Sequence, residues 1–80
     1  MTKDAITKLD LRGLKCPLPV LKARKAMRSL VAGELIELAT TDPLAVIDIP
    51  AFCNEHGHRL VKVDEHDSHH TFLLEKNQSG

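Results

Sequence analysis

The chain of 80 residues has no tryptophan, no tyrosine and only two phenylalanines. It therefore has no aromatic platforms on which nucleic-acid bases could stack, so direct nucleic-acid binding is not expected. The core has to be assembled from Leu, Ile, Val and Ala. Two cysteines, Cys16 and Cys53, are too few for a disulfide scaffold. No run approaches the roughly 18 uninterrupted apolar residues of a membrane span. The opening MTKDAITK lacks the apolar region of a secretory signal. The expectation is a cytoplasmic protein with no membrane attachment. This length suits one domain, residues 1–80 with an ordered core of about 5–76, and is too short for two.

Net charge is also missing, since 11 basic residues balance 11 acidic ones, but the two signs are separated along the chain. Residues 1–32 carry eight Lys and Arg against Asp4 and Asp10, a balance of +6, whereas residues 33–80 carry three against nine, a balance of −6. The basic half contains Cys16. Such asymmetry suits an acidic partner or an anionic group near that half, with ordinary solvated faces as the alternative.

Periodicity gives the elements. ITKLDL alternates between Thr7, Leu9 and Leu11 on one side and Lys8 and Asp10 on the other, the pattern of a half-buried strand that ends at Gly13. Val20, Ala23, Met27, Leu30 and Val31 recur at helical spacing over roughly residues 17–31, opposite a basic face, and Gly33 ends that helix. ELIELAT reads as a central strand. Asp42 then offers an N-cap with Pro43 at the first helical position. The helix that follows should bury Val46, Ile49, Phe52 and Cys53 and be capped by Gly57, with Pro50 kinking it or splitting it into two pieces near Ile49. RLVKVDEH and HTFLLEK form an antiparallel hairpin, and the tail NQSG is expected to be loose. A βαβαββ order, with both helices on one face of a mixed four-stranded sheet, is an α+β two-layer sandwich.

The stretch GLKCPLPVLK, residues 13–22, places a thiol where the first helix begins. A residue preceding proline is biased to extended backbone, which holds Cys16 outside the helix and near its positive end, where a thiolate is favoured. Pro17 and Pro19 remove two backbone donors and so weaken that effect, but they stiffen the loop. Lys15 and Lys22 add favourable charge. No histidine or acid stands at a motif spacing that would make it a general base, which argues against a Cys/His hydrolase and for thiol exchange or sulfur transfer. The alternative is a structural cysteine beside prolines that merely punctuate a helix start.

These residues resemble the TusA family of sulfur carriers, also called SirA-like. The likeness is carried by Gly13 to Pro19, with C-P-x-P at Cys16, Pro17, Leu18 and Pro19. It extends through T-D-P at Thr41 to Pro43, D-I-P-A-F-C at Asp48 to Cys53 and Gly57-His58. The resemblance implies a fold like the C-terminal domain of initiation factor 3 and a sulfurtransferase-type carrier holding sulfane sulfur as a persulfide on Cys16. Gly13, Pro17 and Pro19 would position that cysteine. It implies partner proteins too: a cysteine desulfurase or rhodanese as donor, and an acceptor thiol in tRNA thiolation, cofactor synthesis or sulfur oxidation. Neither a metal nor an organic cofactor is expected. The runner-up is a non-catalytic regulatory or redox-sensing interaction module on the same fold.

Other residues have readings of their own. Cys53 lies on the apolar stripe and is expected to be structural, with a resolving thiol as the alternative. His66, Asp67, His69 and His70 gather at the hairpin turn without any standard metal spacing, so a solvated turn is favoured over a metal site. His56 and His58 flank the helix cap and could bond its last carbonyls. Lys22, Lys25 and Arg28, with Lys15 nearby, make a basic face suited to partner docking or simply to water.

Overall fold

The computed structural model describes residues 6–77. Its elements are β1 (Thr7–Leu11), α1 (Leu18–Met27), β2 (Leu35–Thr40), α2 (Ala45–His56), β3 (Arg59–Glu65) and β4 (His70–Glu75). The sheet order is β1-β2-β4-β3, with β1 parallel to β2 and the other two pairings antiparallel. The α+β sandwich expected from the sequence is the one observed, and ELIELAT supplies β2, one of its two central strands. Alternation along β2 decides what lies under the helices: Ile36, Leu38 and Thr40 are fully buried, while Leu35, Glu37 and Ala39 are half-buried on the other side. Leu38 pairs with Phe72 and Ile36 with Leu74 across to β4, which gives the core two cross-strand layers. Each such fully buried Leu, Ile or Phe contributes about 1.5–3 kcal/mol relative to an exposed one.

Both helices pack onto this cluster, with boundaries that differ from the periodic reading. α1 buries Pro19, Ala23 and Met27, one residue every four, with Val20 and Leu30 packed against the core. It ends at Met27 in tight turns, Ser29 N–H to Ala26 O and Leu30 N–H to Met27 O, so Val31 lies past the helix and is 65% exposed. Gly33 is accordingly not the stop of α1. It stands at φ +89° in the turn before β2, donating to the Lys76 carbonyl.

In α2 the buried residues are Ala45, Ile49, Phe52 and Cys53, and Val46 faces out, one position and about 100° around the helix from Ala45. The N-cap position falls on Leu44. Asp42 instead heads the preceding turn, its Oδ1 accepting the Leu44 N–H and its carbonyl the Ala45 N–H, so Pro43 precedes the helix. Despite Pro50, α2 is one helix from Ala45 to His56 and not two pieces. The proline removes only its own donor, the one that would serve the carbonyl of the outward-facing Val46. Gly57 caps α2 at φ +76°, with the His58 N–H reaching the Cys53 carbonyl. The β3–β4 hairpin forms as expected and closes with the His66 N–H on the His69 carbonyl; a bulge falls between Leu60 and Lys62. Residues 78–80 of the tail lie outside the described residues.

Candidate functional site

The loop between β1 and α1 is fastened to the loop between β2 and α2. The Leu14 N–H bonds the Leu11 carbonyl across a turn whose third residue, Gly13, has φ +88°, a conformation that excludes ordinary side chains. No neighbouring atom lies within 4 Å of where a Gly13 Cβ would sit, so the glycine is there for its backbone and not for space. Its N–H donates to Thr41 Oγ1 at 2.8 Å, and three residues on the Cys16 N–H donates to Asp42 Oδ2 at 2.7 Å. Asp42 thus bridges two backbone donors, Cys16 and Leu44, from a largely buried position. Because β1 and β2 are parallel neighbours, Leu11 beside Thr40, both loops leave the sheet at the same end and can meet.

Cys16 itself is exposed. The Cys16–Pro17 peptide is cis, Pro17 occupies the N-cap of α1, and Pro19 is buried as the first contact of the helix with the core. The thiol opens onto a cleft of about 250 Å³ between the two helices, walled by Val20, Ala51 and Phe52 and carrying Asp48 and Glu55. This surrounding reverses the expected electrostatics. The Asp48 carboxylate lies in the same cleft, and hydrogen bonding to it, desolvation and the charges of Asp48 and Asp42 push the Cys16 pKa above the ordinary thiol value. Neither Lys15 nor Lys22 is among the groups that act on it. Cys16 is therefore a reachable thiol that holds its proton, not a resting thiolate.

A family model described as Sulfurtransferase TusA matches residues 7–76. The chain belongs to the TusA family. A sulfur carrier protein TusA of Pseudomonas putida is 41% identical over 75 residues, 94% of this chain and 91% of that protein. One from Allochromatium vinosum is 36% identical over 74 residues, 92% and 97% of the two chains. Among solved structures, a SirA-like protein from Desulfitobacterium hafniense superposes with a TM-score of 0.77 at 19% identity, covering 92% of this chain and all of that one, a likeness of fold. Cys16, Asp42 and Asp48 all fall within the stretch that matches the TusA family.

The remaining candidates are spread over the surface. Lys15, Lys22, Lys25 and Arg28 are all exposed, and Arg28 turns with Arg24 toward a separate cavity at the far end of α1. Cys53 is 3% exposed with its pKa pushed up to about 11 by burial, the structural cysteine expected. His66 bonds Thr71 and stacks on His69 within the hairpin turn. Among the described residues no three His, Cys, Asp or Glu side chains gather as a metal set. The rings of His56 and His58 do not bond the last carbonyls of α2; they pack against Phe52. No helix among the described residues is long and apolar enough to cross a membrane.

Sequence reasoning missed Asp48, quoted only inside a motif, and gave Asp42 the lesser role of a cap. It also missed four exposed aliphatic side chains: Leu18, Leu21, Leu44 and Ile47 are 43–64% exposed, and Leu18 and Leu44 lie two residues beyond the bonded pair Cys16 and Asp42.

Proposed function

We propose that this chain is a sulfur carrier that accepts sulfane sulfur on Cys16 as a persulfide from a donor protein and surrenders it to an acceptor protein thiol. What supports the reading most is the placement of one exposed thiol on a loop whose backbone is pinned by Asp42 and Thr41, within the segment that matches the TusA family. In loading, Cys16 Sγ attacks the outer sulfur of a donor persulfide. The Sγ–S bond forms, the donor S–S bond breaks, and the proton leaving Cys16 is taken up by the departing donor thiolate. Asp48, which lines the same cleft, guides it out. In delivery an acceptor thiolate attacks the outer sulfur, and Cys16 leaves as a thiolate that is reprotonated beside Asp48. No metal or organic cofactor takes part in either step.

A raised thiol pKa has a use in such a relay. Persulfide loss is slower when the leaving thiol is more basic, so the cargo resists stray thiols until a partner changes the surroundings of Asp48. The same proton makes the free thiol slow toward oxidants, which weighs against redox sensing. Exposed Leu18 and Leu44, two residues beyond Cys16 and Asp42 along the chain, suit protein partners, since exposed apolar side chains near a reactive atom mark a docking surface. The donor is a cysteine desulfurase or a rhodanese acting in the cytoplasm. Incubation with each donor and its substrate, followed by intact-mass spectrometry, tests the reading: a sulfur adduct forms on wild type and on Cys53→Ala but not on Cys16→Ser. An adduct of equal yield on Cys16→Ser would end it.

A further inference from the structure

The second cavity, on the far side of Phe52 from Cys16, is lined by basic groups from four parts of the chain. Arg24 comes from the last turn of α1 and Arg28 from its C-cap, His56 from the last turn of α2, His58 from the residue before β3 and Lys76 from the residue after β4. Met27 and Phe52 make up its apolar lining. No carboxylate of the described residues stands within ion-pair distance of Arg24, Arg28 or Lys76. The exposed Glu55 stands 4.0 Å from His56 Nε2. Three permanent cations sharing one concavity without a counter-charge repel one another, and an anion seated among them removes that repulsion.

The donors are held in place. Lys76 Nζ donates to the Met27 carbonyl at 2.7 Å, and its backbone is fixed on both sides, N–H to the Glu34 carbonyl and carbonyl to the Gly33 N–H. His58 Nδ1 accepts the Asn77 N–H at 3.1 Å, which leaves the neutral ring's hydrogen on Nε2 as a donor. Desolvation, Lys76 and His56 lower the His58 pKa, so near neutral pH the ring serves as this donor without adding charge. The space, about 230 Å³, is below the roughly 300–1,000 Å³ of sites that hold organic cofactors, and at about 30 Å³ per water it has room for a compact ion and a few waters.

We propose that the cavity between Arg24, Arg28, His58 and Lys76 is a binding site for one tetrahedral oxyanion of the sulfate or phosphate class. The bound ion adds to the Lys76–Met27 bond a second link between the C-terminal end of α1 and the paired ends of β3 and β4. The site is separate from Cys16 and does not depend on sulfur loading. The test is an NMR titration of the full-length protein, and of Cys16→Ser, with sodium sulfate and with sodium phosphate. Sodium chloride at matched ionic strength is the reference. Saturable shifts are expected at Arg24, Arg28, His58 and Lys76, equal in both proteins, with one ion per chain by calorimetry. Arg24→Gln should weaken binding at least tenfold, whereas Lys62→Gln on the distant hairpin should not change it. Should Arg24→Gln fail to fold, the map of shifts on the wild-type protein decides alone. Shifts that merely track ionic strength, or that saturate elsewhere, overturn the proposal. So does binding of an acidic peptide such as hexaglutamate without binding of either inorganic ion, which would make the cavity a protein-docking patch.

Discussion

Asp42→Ala is the substitution that separates most sharply the two properties joined at Cys16, position and protonation. The carboxylate accepts the Cys16 N–H at 2.7 Å and the Leu44 N–H at 3.2 Å, and the residue is 9% exposed. A hydrogen bond to a charged group is worth about 1.5–3 kcal/mol, and a capping-type bond such as that to Leu44 about 0.5–1.5 kcal/mol. Losing both should cost about 2–4 kcal/mol. For a domain of this size each kcal/mol moves Tm by about 4–8 °C, so the melting point should fall on the order of 10–25 °C. Asp42→Asn keeps one carbonyl oxygen and should recover about half of that. The charge of Asp42 also raises the Cys16 pKa, so the less stable variant should be alkylated faster at a fixed pH within the folded range. Melting followed by circular dichroism and iodoacetamide rates on the same samples give the two numbers. If Asp42→Ala melts within about 2 °C of wild type, the bridge does not hold the loop and the account of the site is wrong.

Three further outcomes follow from particular atoms. Asp48→Asn removes the principal group raising the Cys16 pKa, so the pH profile of Cys16 alkylation should shift to lower pH; an unchanged profile means the carboxylate does not reach the thiol. Cys53 has a folded pKa of about 11, above its unfolded value, so its contribution to stability is complete below about pH 9 and lost as pH rises through about 11. Urea unfolding of Cys53→Ala between those pH values should show a smaller alkaline loss than wild type, and an identical loss contradicts the assignment. Thr40 is fully buried, and its hydroxyl has no hydrogen-bond partner among the described residues. Thr40→Val keeps the shape and removes an unpaired polar atom, so it should be neutral or stabilising by up to about 1–2 kcal/mol in thermal melts, whereas a loss of 1 kcal/mol or more would reveal a partner for that oxygen.

Strands and turns were legible in the sequence where one physical signal dominated. The aliphatic run of ELIELAT, the C-terminal cap at Gly57 and the hairpin across residues 59–75 needed only pattern and turn chemistry. The helix faces were less secure, because Ala45 and Val46 are equally apolar and only packing shows which of them turns inward. Val31 looked like one more step of a stripe, but the helix had already ended. The position of Cys16 was readable from its prolines, whereas its protonation was not. Near neighbours in sequence are lysines, while the groups that act on the sulfur, Asp42 and Asp48, arrive from 26 and 32 residues away once β2 pairs with β1. Charge close along the chain was a poor guide to charge close in space.

The tether from Cys16 to Asp42 spans 26 residues and that from Gly13 to Thr41 spans 28, so neither exists until both parallel strands are in register. An excised decapeptide carrying the same cysteine and prolines would keep the chemistry of a free thiol but none of the geometry, and should be a poor mimic in any competition experiment. By the same token a half-translated or partly melted molecule lacks both tethers that hold the Cys16 loop. Under the proposed relay, completion of the sheet is itself the licence to receive sulfur.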